Sequence, residues 1–215
     1  MAVTQNTLIG RTRGSIGGVT FSSWKGLNVA KGKAENVQQP NSDAQLLQRS
    51  KMALIVALYR SVSAIIQTGF ASLAIHMSEF NAFTSQNIKN AVAELTASTA
   101  ELVYDALVFA KGTLTSTAID TLIGTNGSNT VTFDFNPAQT APDTSLQDGA
   151  LAVCINETSE EIAMIGGSAV RSDGTVDIAM PTDSTTGDVI HGYLFFEKED
   201  QTTVSDSQYL SFTVT

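Results

Sequence analysis

The sequence predicts an α+β protein with an N-terminal β arm and hairpin, a central helical hairpin and a C-terminal immunoglobulin-like β-sandwich. Three observations predict it: a glycine-rich alternating stretch up to residue 40, a long run at helical spacing, and then short apolar runs separated by turn signals. We place the boundaries at residues 1–40, 41–100 and 101–215. The 215 residues, 42% of them hydrophobic, are enough to bury a core.

The first segment predicts a β-hairpin that follows an extended arm. Residues 19–22 alternate apolar and polar side chains like a strand, residues 23–26 form a turn, and residues 27–30 return as a second strand. An isolated hairpin is only marginally stable in water, so this one needs a sheet or a partner elsewhere. The pattern leaves open whether that partner is the sandwich of the same chain or a neighbouring chain.

The second segment predicts two helices, one folded back on the other. Residues 42–45 have the Ser-x-x-Gln pattern of a capping box, and Gly69 is a stop signal for the helix that follows. A second helical pattern runs from Phe70 to Leu95, with a restart at Ser78. The first helix carries small residues beside its apolar stripe, which predicts burial on most sides. These small residues are Ala53, Ala57, Ser61 and Ala64.

The third segment predicts six or seven short strands. Asn-Gly and Asp-Gly turn signals separate its apolar runs, and this spacing is typical of an immunoglobulin-like or fibronectin-type sandwich. Most of the acidic residues fall in turns and on outward faces, where water solvates them. The predicted strands cover residues 102–104, 131–135, 151–155, 176–180, 189–196 and 209–214.

Charge is divided unevenly along the chain. The net charge of −9 argues against a nonspecific nucleic-acid-binding protein. Residues 1–60 nevertheless hold eight Lys and Arg against two acids, a net of +6, and the remainder holds four against nineteen, a net of −15. This asymmetry indicates a basic end that meets an anion or the acidic end of a neighbouring copy.

No sequence pattern indicates catalysis or a resident cofactor. The glycine-rich residues 14–18 match neither the dinucleotide-binding nor the P-loop pattern, and His76 and His191 have no metal-binding spacing. Cys154 is the only cysteine, which excludes an intrachain disulfide and a cysteine-based zinc site. We therefore predict that the protein is not an enzyme and that it holds no cofactor and no metal.

The sequence also predicts synthesis in the cytoplasm and no membrane partner. The N-terminus has no apolar signal region. The apolar run at residues 52–58 is too short to span a bilayer and is flanked by Lys51 and Arg60.

Several stretches resemble a protein family of unknown function that is common in gut and marine bacteria and in their phages. The most specific is GRTRGSIGGVTF at residues 10–21, followed by Trp-Lys-Gly at residues 24–26. The resemblance continues at residues 81–85 and Asn90 in the helical part, and at residues 169–174 and 192–196 in the sandwich. It implies no established activity, and its phage context implies a component of a virion or another particle.

The function that these observations predict is structural: a subunit of a phage-type virion or another protein assembly that self-associates through its N-terminal arm and displays its sandwich. The partners are copies of itself and other structural proteins. The alternative is a nucleic-acid-binding accessory protein that uses the same basic segment, with an affinity that falls steeply with salt. The predicted contact residues are Arg11, Arg13, Phe21, Trp24, Lys25, Lys31 and Lys33.

Overall fold

The computed structural model describes residues 2–4, 13–24, 27–34, 41–124, 129–137 and 141–215, and it describes residues 2–4, 24 and 27 by their backbone alone. The fold class is α+β, as predicted. The chain divides into two compact units, Met1–Asn41 and Ser42–Thr215.

The first unit is a four-stranded antiparallel sheet. Its strands are β1 (Ala2–Thr4), β2 (Gly14–Ile16), β3 (Val19–Trp24) and β4 (Leu27–Gly32), in the order β1-β4-β3-β2. The predicted hairpin is confirmed, because β3 pairs with β4 and Trp24 meets Leu27 at its closed end. The partners of the hairpin are β1 and β2, which belong to the segment predicted as an extended arm. The hairpin therefore finds its sheet within its own unit.

The second unit begins with helix α1 (Asp43–Gly69). The predicted start is confirmed, with Ser42 as the N-cap, but the capping box does not form because the Ser42 side chain makes no cap hydrogen bond. The Ser42 carbonyl accepts instead from the backbone N–H groups of Gln45 at 2.9 Å and Leu46 at 3.0 Å. Asp43 lies in the first turn, where a negative charge interacts favourably with the helix dipole.

Gly69 ends α1, as predicted, and a neighbouring segment packs directly against it. The Lys111 backbone N–H donates to the Gly69 carbonyl at 3.0 Å. A Cβ atom at residue 69 would lie 2.2 Å from the carbonyl oxygen of Phe109 and 3.1 Å from the Cα of Ala110. Glycine is therefore required here by the close approach of another backbone.

We expect Gly69→Ala to destabilise the second unit. The clash is with a backbone oxygen, which cannot rotate away, so the overpacking should cost about 1–3 kcal/mol of unfolding free energy. Gly149→Ala is the matched control, because its Cβ would meet nothing closer than the Glu197 carbonyl oxygen at 3.9 Å. Urea unfolding followed by circular dichroism measures both variants. Equal stability of the two would contradict the prediction.

The second helical pattern is shorter than predicted. After a 3-10 turn at Ala71–Leu73, helix α2 spans Glu79–Asn90. The predicted restart at Ser78 is confirmed, because its hydroxyl accepts from the Asn81 backbone N–H at 3.3 Å. His76 lies in the loop before α2 and is exposed, so the prediction that it belongs to an apolar helix is wrong.

The predicted continuation of this helix to Leu95 is also wrong. Strand β5 (Val92–Glu94) follows α2 and pairs antiparallel with β6 (Ala100–Leu102). The turn between them is closed by the Thr96 hydroxyl, which accepts from the backbone N–H groups of Ser98 and Thr99. Side chains of this kind favour turns because they offer the backbone a local hydrogen bond.

Seven strands form the rest of the second unit. They make two antiparallel sheets, in the orders β10-β9-β12-β13 and β11-β8-β7. Five of the six predicted strands coincide with β8, β9, β11, β12 and β13. The predicted strand at residues 102–104 is wrong, because β6 ends at Leu102 and residues 104–106 form a 3-10 turn. The seven strands are β7 (Ile119–Gly124), β8 (Thr130–Phe135), β9 (Gly149–Asn156), β10 (Ile162–Val170), β11 (Thr175–Ala179), β12 (Val189–Glu197) and β13 (Gln208–Thr213).

Strands β9 and β12 separate two hydrophobic cores. Side chains alternate between the two faces of a strand. In β9, Val153 packs with the helices on one face, and its neighbours Ala152 and Cys154 pack against β11-β8-β7 on the other. In β12, Phe195 packs in the helix-facing core and Phe196 packs in the core between the two sheets. The second unit is thus a helical layer, the small β5-β6 sheet and two larger sheets, and the central strands β9 and β12 of one larger sheet are buried on both faces.

Helix α1 is long and apolar enough to cross a bilayer by length and composition, with a mean hydropathy of 1.4 over its most apolar window. A single such helix is weak evidence, because core helices of soluble proteins pass the same test. Here Ile55, Val62 and Ile66 are fully buried in the helix-facing core. The absence of a membrane partner stays a prediction.

Candidate functional site

One face of the N-terminal sheet presents apolar side chains to solvent. Ile16 pairs with Val19 across β2 and β3, and Phe21 lies two residues further along β3, so all three side chains share a face. Ile16 is 73% exposed and Val19 is 38% exposed, while Phe21 is half-buried. We call Ile16, Val19 and Phe21 the apolar face.

The opposite face of this sheet is mostly polar. Ser15 pairs with Thr20, and their hydroxyl oxygens are 3.4 Å apart. Thr20 in turn pairs with Lys31, whose side chain is exposed. Among the described side chains of this unit, only Val29 is buried. The described part of the sheet therefore has no sizeable core of its own.

The predicted contact residues that the structure describes do not form one cluster. Phe21 belongs to the apolar face and Lys31 to the opposite one. Arg13 and Lys33 are exposed next to the ends of β2 and β4. Their role in contacts stays a prediction, and their division between two faces follows only from the strand register.

The remaining predicted contact residues are less fully described. Trp24 is the last residue of β3, and only its backbone is described. Arg11 and Lys25 lie outside the described residues.

The two units carry opposite net charge. Residues 1–41 hold five Lys and Arg against one acid, a net of +4. Residues 42–215 hold seven against twenty, a net of −13. The two units are therefore electrostatically complementary in net charge.

A groove runs between α1 and β10 in the second unit. Its first recess, of about 140 Å³, is lined on the helix by Ala57 and Ser61 and on the strand by Ile162. Its second recess, of about 380 Å³, is lined by Ala64 and Met164. The two recesses follow one another along the same helix and strand, and we refer to them together as the α1–β10 groove.

Three of the small residues of α1, Ala57, Ser61 and Ala64, line this groove instead of lying in the core. Ala53, Ala57, Ser61 and Ala64 are all exposed, so the prediction that α1 is buried on most sides is wrong. One side of the helix packs on the sheet, and the side with the small residues remains open. Sequence periodicity gives the two stripes of the helix but not which of them is covered.

The charged residues that line the groove are acidic. Glu160 lines the first recess and Glu197 the second, and burial raises the pKa of the Glu197 carboxyl above its ordinary value. Among the described residues, no Lys or Arg lines either recess. Arg60 is exposed on α1 but belongs to neither lining.

His191 lies in a polar cluster beside the helix-facing core. Its ring stacks on Tyr104 with centroids 4.3 Å apart, and its Nδ1 is 2.9 Å from the Tyr209 hydroxyl oxygen. The Nε2 atom is 3.4 Å from a carboxylate oxygen of Glu157. Burial lowers the pKa of His191, and Glu157 opposes that shift. The His191 side chain is 9% exposed and packs and hydrogen-bonds within this cluster.

A second polar cluster, which contains a fully buried ion pair, surrounds Arg171. The Arg171 Nε is 3.4 Å from a carboxylate oxygen of Asp148, and both side chains are fully buried. The guanidinium donates to the Thr117 hydroxyl and, at 3.1 Å, to the Thr115 carbonyl. It also lies 4.1 Å from the centroid of the Phe196 ring. This cluster ties β12 and the turns before β9 and β11 to the segment before β7.

Metal binding finds no support in the described part of the chain. No group of three or more His, Cys, Asp or Glu side chains lies close enough there to hold an ion. Cys154 is buried, and burial raises the pKa of its thiol well above the ordinary value.

A family model described as "Family of unknown function (DUF6266)" matches residues 11–211. The chain belongs to this family. The DUF6266 match begins before β2 and ends within β13, so it includes most of both units. No curated protein and no solved structure matches the chain.

Several residues in the stretches that carry the sequence resemblance are buried in the second unit. Arg171 forms the buried ion pair, and Phe83 and Tyr193 are fully buried in the helix-facing core. The α1–β10 groove was not predicted from the sequence. Its signals were the small residues of α1 and the Gly166-Gly167 pair in β10, which lines the second recess.

Proposed function

We propose that this protein is a structural subunit of a phage-type virion or another protein assembly, which self-associates through its N-terminal sheet. Its partners are copies of itself and other structural proteins. We further infer that it has no enzymatic activity, that it is made in the cytoplasm, and that its C-terminal sheets are displayed outward.

The observation that carries this proposal is the uncovered apolar face. A small sheet needs packing on a hydrophobic face to be stable. The face formed by Ile16, Val19 and Phe21 is open to solvent, and Val29 is the one buried side chain described in the unit. Packing of this face on a partner would stabilise both the sheet and the assembly.

Charge and strand edges support the same proposal. The net charges of +4 for residues 1–41 and −13 for residues 42–215 favour contacts between the first unit of one copy and the second unit of the next. Strand β2 is the end strand of its sheet, and end strands readily pair with other chains. Contacts between unlike surfaces generate rings or filaments.

We infer that strands β7 to β13 of the second unit are an immunoglobulin-like sandwich of the fibronectin type. In the immunoglobulin arrangement strands A, B and E share one sheet and C, F and G share the other. With β7 to β13 taken in order as A, B, C, C′, E, F and G, the sheets here are A-B-E and C′-C-F-G. Such modules often act in binding or display, an analogy that rests on the fold alone.

Replacing Ile16 by glutamate should abolish assembly. The change places a charge within the apolar face, which burial in an interface would penalise. Ser15→Glu is the matched control, because it adds the same charge to the same strand on the opposite face. Light scattering and electron microscopy of the full chain measure the assembly state. Assembly of Ile16→Glu at wild-type size would refute this role of the apolar face.

The exposed cations Arg13, Lys31 and Lys33 favour a second candidate, a nucleic-acid-binding accessory protein. The monomeric Ile16→Glu variant keeps these cations and separates the two functions. If it binds DNA with an affinity that falls by orders of magnitude between about 50 and about 200 mM salt, nucleic-acid binding is supported. If it does not bind, the assembly function stands alone.

A further inference from the structure

We propose that the α1–β10 groove is the surface that receives the N-terminal sheet of a second copy. This inference rests on the proposed function, and it adds which part of the second unit the apolar face contacts.

The shape of the groove suits apolar side chains of one neighbouring chain. The first recess has a volume of about 140 Å³, and a dry apolar cavity of about 150 Å³ is large enough to hold a benzene molecule. An exposed side chain such as Ile16 therefore fits one recess. The small side chains of Ala57, Ser61 and Ala64 let another backbone approach α1 closely.

The strand side of the groove is equally open. Met164 is 43% exposed, although its neighbours on the same face of the sheet, Val153 and Leu151 of β9, lie in the core. Gly166 adds no side chain beyond it. The helix-facing surface of β10 is therefore an apolar strip that α1 leaves partly uncovered.

Charge identifies the occupant as the first unit of another copy. The groove is lined by Glu160 and Glu197, and the unit that carries it has a net charge of −13. The N-terminal sheet combines the apolar face with the exposed cations Arg13, Lys31 and Lys33. Lys31 lies on the face opposite the apolar face, so the electrostatic match rests on net charge. An apolar face on a unit of net charge +4 matches an apolar groove that is lined by carboxylates on a unit of net charge −13.

Such a contact joins two unlike surfaces, so every copy offers one sheet and one groove. Association then proceeds head to tail. A variant that has lost its groove still has a working sheet, and a variant that has lost its apolar face still has a working groove.

The test uses this complementarity in the full chain. We expect Ala64→Arg, which fills the second recess and adds a cation at an exposed position, to be monomeric at the 22.7 kDa of one chain. Ala44→Arg, an identical change at an exposed position in the first turn of α1, should assemble like the wild type. Met164→Lys is a second groove variant, which tests the groove independently if Ala64→Arg does not fold.

Mixing Ala64→Arg with Ile16→Glu should give a heterodimer of twice that mass, although neither variant associates alone. Wild-type assembly by both groove variants would overturn the inference and leave the proposed function intact, as would a mixture that stays monomeric. A wild-type chain that is itself monomeric would overturn both.

Discussion

Replacing Arg171 by methionine is expected to lower the unfolding free energy of the second unit by about 3–5 kcal/mol. The change removes the cation from a fully buried pair and leaves the Asp148 carboxylate buried without its counter-charge. Methionine fills much of the same volume, so the loss of charge is the main effect. The interaction of the guanidinium with the Phe196 ring is lost as well.

The control for this prediction restores electrical neutrality. Adding Asp148→Asn to Arg171→Met keeps an acceptor for the Ser145 backbone N–H, which donates to Asp148 at 2.9 Å, and removes the unpaired charge. The double variant should regain part of the lost stability. Urea unfolding followed by circular dichroism gives the three free energies. If the double variant were less stable than Arg171→Met, an uncompensated charge would not be the cause.

Replacing Phe83 by alanine should cost a similar amount, about 3–5 kcal/mol. Phe83 is fully buried in α2, and its ring lies within 6.3 Å, centroid to centroid, of the rings of Tyr59, Phe70 and Phe109. Its loss would leave a cavity where α1, α2 and the segment before β7 meet. The surrounding rings cannot close this space without leaving their own contacts.

Phe80→Ala is the matched control for Phe83→Ala. Phe80 lies one turn earlier in α2 and is half-buried against Tyr59. Both variants make the same Phe-to-Ala change in the same helix, and the difference in propensity between the two positions is small beside the expected cavity effect, so the difference between their unfolding free energies reports mainly on burial. Thermal or urea unfolding provides the comparison. A loss for Phe80→Ala as large as that for Phe83→Ala would show that the cavity is not responsible.

Most elements of the fold could be predicted because their signals are local. The signals for the β3-β4 hairpin lie in the strands and the turn that joins them. The signals for the two ends of α1, at Ser42 and Gly69, lie within a few residues of each end. The same is true of the Ser78 cap. Strands β9 and β12 are continuous apolar runs, and such runs indicate burial on both faces.

The errors arose where a distant partner decides the structure. Val92 fits the helical spacing of α2, but it lies in β5 because it pairs with Leu102, ten residues away. Strand β10 contains two adjacent glycines, which lower strand propensity, and it forms because β9 provides its partner. The burial of Arg171 likewise depends on Asp148, and its guanidinium bonds to Thr115 and Thr117 far back in the sequence.

The same limit applies to the candidate site. Composition located the basic N-terminal segment, but the apolar face follows only from the pairing of Ile16 with Val19. The α1–β10 groove requires knowing which stripe of α1 the sheet covers. Periodicity alone does not distinguish a covered stripe of leucine and isoleucine from an open stripe of alanine and serine beside it.

Strands β9 and β12 belong to two cores at once, and this limits the insertions that the chain can accept. One extra residue in the middle of either strand would turn every following side chain to the opposite face. Phe195, which now packs in the helix-facing core, would then face the other sheet, and Phe196 would face the helices. Neither core could accommodate such a change alone, so we expect insertions to be tolerated only in the turns between the strands.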